Sequence, residues 1–216
     1  VRVKTDLKRD EITTCAAQVF RELGFERASM SEIAARMGGS KATLYGYFAS
    51  KEELFVTVTQ AEAHAHLEPA MVELQSGDVD IRTALRRFGQ KVLAFLVQPE
   101  HVAVTRMVMG ESGRSDIGRR YYLNGPQRGL EFLTHYLREV MEKGILRPAE
   151  PYFMAQHLLG LLECEWVPRR LFGAEPEPPT ALIISEAVAR AVDAFLAAYG
   201  AAGPGFAASS PGAVAQ

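Results

Sequence analysis

Apolar residues recur with a period near 3.6 almost from one end of this chain to the other, and no long stretch alternates apolar with polar residues at period two. Such a pattern gives no sheet a buried face, so the expected class is all-α. Residues 6–24 place Ile12, Cys15, Ala16, Val19, Phe20 and Leu23 on one stripe, and Gly24 ends the helix. Ser29 to Glu32 has the spacing of a capping box and opens a short helix carrying Ile33, Ala34 and Met37. Gly38-Gly39 breaks it, and Ser40 caps a second short helix over 41–48. Ser50 to Glu53 is a second capping box, starting a helix that runs through Pro69 with a kink to Gln75. Further helices are expected over 81–97, from Pro99 to about 110, over 115–123, and from Pro126 to Gly144. Two long apolar helices follow, about 149–172 and 179–200. The reading predicts nine or ten helices in total.

Composition narrows the function classes. The chain has 216 residues, 48% of them apolar, which is ample for a sizeable core. Its 24 basic and 26 acidic residues leave a net charge of -2, so any polyanion partner must be argued from local charge. No apolar run approaches the roughly 20 residues that span a bilayer, and the first ten residues are charged. The expectation is a soluble, cytoplasmic protein without a membrane partner. Two cysteines, Cys15 and Cys164, are too few for a disulfide framework and read as small core residues. There is no P-loop, no G-x-G-x-x-G after a strand, no H-E-x-x-H and no G-x-S-x-G, so no enzyme, cofactor or metal site is expected. His64 and His66 lie two apart on a helix and diverge by about 200°.

Residues 29–53 are the informative stretch. Two short helices joined by a glycine turn, with a longer helix on each side, describe a helix-turn-helix unit. On the second short helix Leu44 and Phe48 stand at i and i+4 and face the core, while Lys41, Thr43, Tyr45 and Tyr47 can reach outward. Lys and Tyr donate to phosphate oxygens, and Thr offers a hydroxyl and a methyl to base edges. Arg36 to Lys51 contains three basic residues and no acidic one.

The segment GFERASMSEIAARMGGSKATLYGYFASKEELF resembles the amino-terminal DNA-binding domain of the TetR (tetracycline-repressor-like) family of bacterial transcriptional regulators. The matching positions are Gly24, Ser29, Ile33, Ala34, Gly38, Ser40, Thr43 to Tyr45, Phe48, and Ser50 to Leu54. The resemblance implies a DNA interface of Ser29, Ser40, Lys41, Thr43, Tyr45, Tyr47 and Lys51. Thr43 and Tyr45 would face bases and backbone, Tyr47 and Lys51 phosphates, and Ser29 would cap a helix beside a phosphate. Met37, Gly39 and Tyr47 depart from the family's usual residues, which bears on the operator sequence more than on binding.

The resemblance further implies a DNA-binding domain over 1–55 and a helical regulatory and dimerisation domain over 56–200. Residues 201–216, uncharged and rich in Gly, Ala, Ser and Pro, are expected to be a disordered tail. The last two helices are apolar over more than one face and are the candidates for a homodimer. Polar residues among apolar ones in the middle helices mark a candidate site for an unknown small-molecule effector: Arg106, Glu111, Tyr121, Tyr122, Tyr136 and Glu163, walled by Phe88, Phe95, Met107 and Phe132. The implied function is a homodimeric repressor released from operator DNA by a small, largely apolar effector. A redox regulator switching through Cys15 or Cys164 is the nearer alternative. An adaptor or an all-α enzyme is the more distant one.

Overall fold

Side-chain caps begin most of the helices in the computed structural model, which describes residues 5–77 and 79–201. Thr5 accepts from Lys8 N at the start of α1 (Asp6–Arg27), where Gly24, at φ +73°, breaks the helix before one further turn. Ser29 accepts from Glu32 N at α2 (Met30–Arg36), Ser40 from Thr43 N at α3 (Lys41–Tyr47), and Ser50 from Glu53 N at α4 (Lys51–Ser76). Neither expected capping box closes as drawn. The Glu32 carboxylate pairs with Arg36 instead of returning to its cap, and Glu53 Oε2 accepts from Ala49 N, one residue before Ser50.

The chain continues through α5 (Ile81–Leu96), α6 (Pro99–Glu111), α7 (Ile117–Asn124) and α8 (Pro126–Glu142). The segment read as one helix over 149–172 is broken at residues 164–166 into α9 (Pro151–Glu163) and α10 (Val167–Phe172), and α11 (Ala181–Tyr199) closes the order. Pro168, inside the first turn of α10, cannot donate the backbone bond that would continue α9. An isolated antiparallel bridge, Leu146 to Gly200, ties the end of α11 to the loop after α8. Among the described residues no single helix is long and apolar enough to cross a membrane. The expected tail, apart from Ala201, lies outside the described residues.

Among the described residues three apolar clusters form. The first packs α1, α2 and α3 on the start of α4 through Ile12, Val19, Ile33, Leu44, Phe48, Leu54 and Val58. The largest joins the end of α4 to α5, α8, α9 and α11. A small third cluster sets Val56 of α4 against Val104 and Val108 of α6 and Ile117 of α7. Phe55 packs against both the first and the third. In the largest core Gly89 permits a close crossing: a Cβ there would stand 2.7 Å from Leu162 Cδ2 and 2.8 Å from Val188 Cγ1. Arg170 is buried, with its guanidinium donating to the carbonyls of Val97, Glu175 and Pro176.

The cysteines correct the sequence reading. Cys15 is only half-buried and Cys164 is exposed, because it continues the outward face of α9 that carries His157 and Gly160. Burial pushes the Cys15 thiol up, away from the thiolate that a redox switch needs.

Candidate nucleic-acid interface

The outward side of α3 is built by its own first turn. Ser40 Oγ lies 3.0 Å from Thr43 N and 2.9 Å from Thr43 Oγ1, so the two hydroxyls and one backbone N–H form a small polar corner. Lys41 and Tyr45 are exposed, Tyr45 to 47%, while Leu44 and Phe48 are buried. Thr43 and Tyr47 are half-buried. Tyr47 points back along α1, its oxygen accepting from Thr5 N at 3.3 Å, which leaves its O–H free to donate to a phosphate.

Arg9, which the sequence pattern did not single out, braces the end of α3. Its guanidinium donates to Tyr47 O at 3.4 Å and stands 4.4 Å from the Phe48 ring centroid. An arginine on the polar side of an amphipathic helix carries no sequence signal for such a role. Lys51 sits 4.1 Å over the Phe25 ring and donates to Phe25 O at 2.9 Å, so one of its three N–H bonds fastens α1 to α4. Arg36 is held by Glu22 and Glu32 and adds little free positive charge. Ser29 is exposed at the start of α2, with its oxygen occupied as a cap. Lys41 and Tyr45 thus stand one turn apart on one side of the buried Leu44–Phe48 stripe, and Ser40, Thr43 and Tyr47 on its other side, with Lys51 and Ser29 at other helix starts.

The effector candidates do not converge. Phe88 and Tyr136 are buried in the largest core, where burial pushes the Tyr136 phenol up to about 12, and Phe132 packs on that core. Arg106 donates to the carbonyls of Leu171 and Arg170 at 2.8 and 2.6 Å, fastening α6 to α10. With Met107 and Glu111 it also lines an open crevice of about 510 Å³ against Phe25, Glu26 and Glu52. Tyr122 is 48% exposed. Glu163 is half-buried on α9, and burial pushes its carboxyl up. Phe95 and Tyr121 border a further strip, along the inner face of α6, whose His101 and Thr105 the sequence reading passed over. Their signal was a polar pair at i and i+4 on a face otherwise set by Val104 and Val108.

Tyr121 also lies where the two parts of the molecule meet. Its carbonyl accepts from Gln60 of α4 at 3.3 Å, and the preceding residue, Arg120, pairs with Glu53 at 3.5 Å. Glu53 is the residue that accepts from Ala49 N in the α3–α4 turn. A connection of side chains therefore runs from α7 to the turn that ends α3.

Comparison with known proteins decides what this arrangement is. A family model described as bacterial regulatory proteins, tetR family, matches residues 12–58, and one described as AefR-like transcriptional repressor, C-terminal domain, matches residues 83–201. The chain belongs to the TetR family. Among TetR-family structures, a transcriptional regulator from Mesorhizobium loti aligns with a TM-score of 0.78 at 26% identity, over 91% of this chain and 100% of that one. The flavonoid-responsive regulator FrrA aligns with a TM-score of 0.68 at 31% identity, over 91% and 98%. The HTH-type transcriptional activator FasR of Mycolicibacterium smegmatis is 42% identical over 59 residues, 27% of each chain. The HTH-type transcriptional repressor NicS of Pseudomonas putida is 29% identical over 102 residues, 47% of this chain and 48% of that one. The chain thus spans between 27% and 48% of the length of the curated relatives it matches. It is a DNA-binding transcriptional regulator of the TetR family.

Proposed function

We propose that this regulator is a homodimeric repressor that leaves its operator when a small, largely apolar effector enters its helical domain. The observation that carries this reading is the double burial of α4. Leu54 and Val58 belong to the core under α3, the recognition helix in this reading, Val56 belongs to the α6–α7 cluster, and Phe55 packs against both. A ligand that displaces α6 or α7 therefore tilts the helix on which α3 rests. FrrA, similar over most of its length, is described as flavonoid-responsive, and the carboxy-terminal match is to a repressor domain. The division falls at residues 55 and 56, inside α4, so the DNA-binding and regulatory domains share one helix.

The dimer face is read from what the monomer leaves uncovered. On α9, Phe153, His157, Gly160 and Cys164 form one exposed stripe at i, i+4, i+7 and i+11, with Phe153 55% exposed. On α11, Leu182, Ala194 and Ala197 are exposed. Gly160 and the alanines permit close approach of a second copy. Glu186, Arg190 and Asp193 share the outer side of α11, so this helix is less apolar than its sequence stripe implied. Two recognition helices set about 34–36 Å apart would enter successive major grooves. Lys41, Tyr47 and Lys51 would hold phosphates, Ser29 and Ser40 would sit at helix starts beside the backbone, and Thr43 and Tyr45 would face bases.

The test is enrichment of bound duplexes from a random pool, combined with sedimentation of the free protein. A two-fold symmetric site and a dimer at micromolar concentration are expected. An enriched site without symmetry, or a folded monomer, would overturn the dimeric reading.

A further inference from the structure

Among the described residues, two polar atoms on the inner face of α6 are buried without a hydrogen-bond partner, His101 Nδ1 and Thr105 Oγ1. The two residues lie one helical turn apart, so their side chains stack on the same face. Buried polar groups without partners are uncommon in native interiors, and each one calls for an explanation. The face around them continues as a row of rings. His101 packs on Phe95 with centroids 4.5 Å apart, and Phe95 packs on His66 of α4 at 5.8 Å. At the other end the Tyr121 phenol of α7 stands beside the Thr105 hydroxyl without forming a hydrogen bond of good geometry.

We propose that this row, from His66 through Phe95, His101 and Thr105 to Tyr121, holds a neutral aromatic molecule carrying a hydroxyl group. Its ring lies against Phe95 and Tyr121, and its hydroxyl exchanges hydrogen bonds with Thr105 Oγ1 and His101 Nδ1. The inference rests on the effector reading above and specifies its ligand chemistry. Neutrality follows from what the row offers. Burial pulls the His101 pKa down to about 4, so at neutral pH the buried polar groups are one uncharged imidazole and two hydroxyls, with His66 exposed at the far end of the row. A carboxylate would trade its hydration for these, with neither an ammonium nor a guanidinium among them.

The element that yields is α7. It has eight residues, of which Ile117 alone is buried, and its first turn has no side-chain cap. Moving α7 outward opens the row and pulls on Arg120–Glu53 and Gln60–Tyr121, the bonds to the start of α4. Occupancy of the row and the position of the recognition helix are thereby joined.

The experiment uses the full chain and three matched probes, 2-naphthol, naphthalene and 2-naphthoate, with binding followed by ligand-detected NMR. Expected is roughly tenfold tighter binding of 2-naphthol than of either analogue. Thr105→Val and His101→Phe should each weaken 2-naphthol about three- to tenfold and leave naphthalene unchanged. Equal binding of the three, preference for the naphthoate, no binding, or indifference to both substitutions overturns the proposal. A ligand-free arm uses Thr105→Val alone. Its Tm should be unchanged or raised, because an isosteric change removes a hydroxyl that has no partner. A fall of more than about 3 °C would mean that the hydroxyl is committed to the fold through a structural water or a protein group, and would sink the proposal. Release from an enriched duplex is measured in parallel. Binding of 2-naphthol at this row without release refutes the effector reading and leaves the site standing. Release that survives both substitutions refutes the site and leaves the reading.

Discussion

Replacing Gly89 by alanine tests the packing on which the regulatory domain depends. The added methyl would stand 2.7 Å from Leu162 Cδ2 and 2.8 Å from Val188 Cγ1, well inside van der Waals contact. Leu162 can swing its end away, but Val188 is β-branched on a helix and has one strongly preferred rotamer. The strain therefore moves α5 from α11, at a cost of about 1–3 kcal/mol. Alanine gains roughly 0.8–1 kcal/mol over glycine in helix propensity, which offsets part of this. The matched control is Gly129→Ala on α8, where nothing lies within 4 Å and only the propensity gain remains. Thermal unfolding of both variants at one protomer concentration cancels that gain in the difference. Each kcal/mol moves Tm by roughly 2–4 °C at this length. Gly89→Ala should melt several degrees below Gly129→Ala, and sedimentation should show a weaker dimer, since α9 and α11 are the helices displaced. Equal melting temperatures would refute the close-crossing argument.

On an enriched duplex, Lys51→Ala should weaken specific and random DNA alike and lower the salt slope by roughly 0.9 for each phosphate that the ammonium no longer neutralises, while also destabilising the Phe25 junction. Thr43→Ala should cost mainly discrimination, up to about 1–3 kcal/mol per base contact, with the salt slope retained; the reverse pattern in isotherms across salt concentrations would show that the two roles are exchanged. The His101 pKa of about 4 in the folded protein lies below its ordinary 6.5, so the unfolded chain binds the extra proton between these values. Its contribution is complete above about pH 6.5 and is lost as pH falls toward 4, on the order of 3 kcal/mol at the limit. The stability of wild type relative to His101→Phe, from denaturant titrations, should therefore fall as pH drops from about 6.5 toward 4, and parallel curves would contradict this. Arg170→Met leaves the Val97, Glu175 and Pro176 carbonyls without their donor and should cost about 3 kcal/mol or more, measured as a lower urea midpoint at unchanged slope.

The helical class and the placing of α2, α3 and α4 were legible because breakers and caps, Gly38, Ser40 and Ser50, sit at fixed offsets from apolar stripes. On α3 the burial of Leu44 and Phe48 and the exposure of Lys41 and Tyr45 follow the same pattern, whereas Thr43 and Tyr47 are half-buried. Tertiary contacts were not legible. Nothing local marks Arg9 as the brace of α3, Lys51 as a clasp on Phe25, or Arg106 as a donor to carbonyls 64 and 65 residues away. The apolar stripes of the middle helices predicted burial correctly for Phe88 and Tyr136, and burial is also what a ligand wall would show. His101 and Thr105 went unread because two polar residues in a long helix usually face water.

The double burial of α4 also bears on how such regulators are recombined. A chimera that joins this DNA-binding unit to another helical domain must cut within α4, yet neither side of a cut there is self-sufficient. Phe55 and Val56 would arrive without Val104, Val108 and Ile117, and the graft would present bare apolar surface to whatever helix replaced α6. The transferable module is therefore larger than the sequence motif: residues 5–60 travel intact only with the faces of α6 and α7 that cover them. A swap that carries those faces across should keep both its specificity and its switch, and one made at the motif boundary should give a binder that no longer listens.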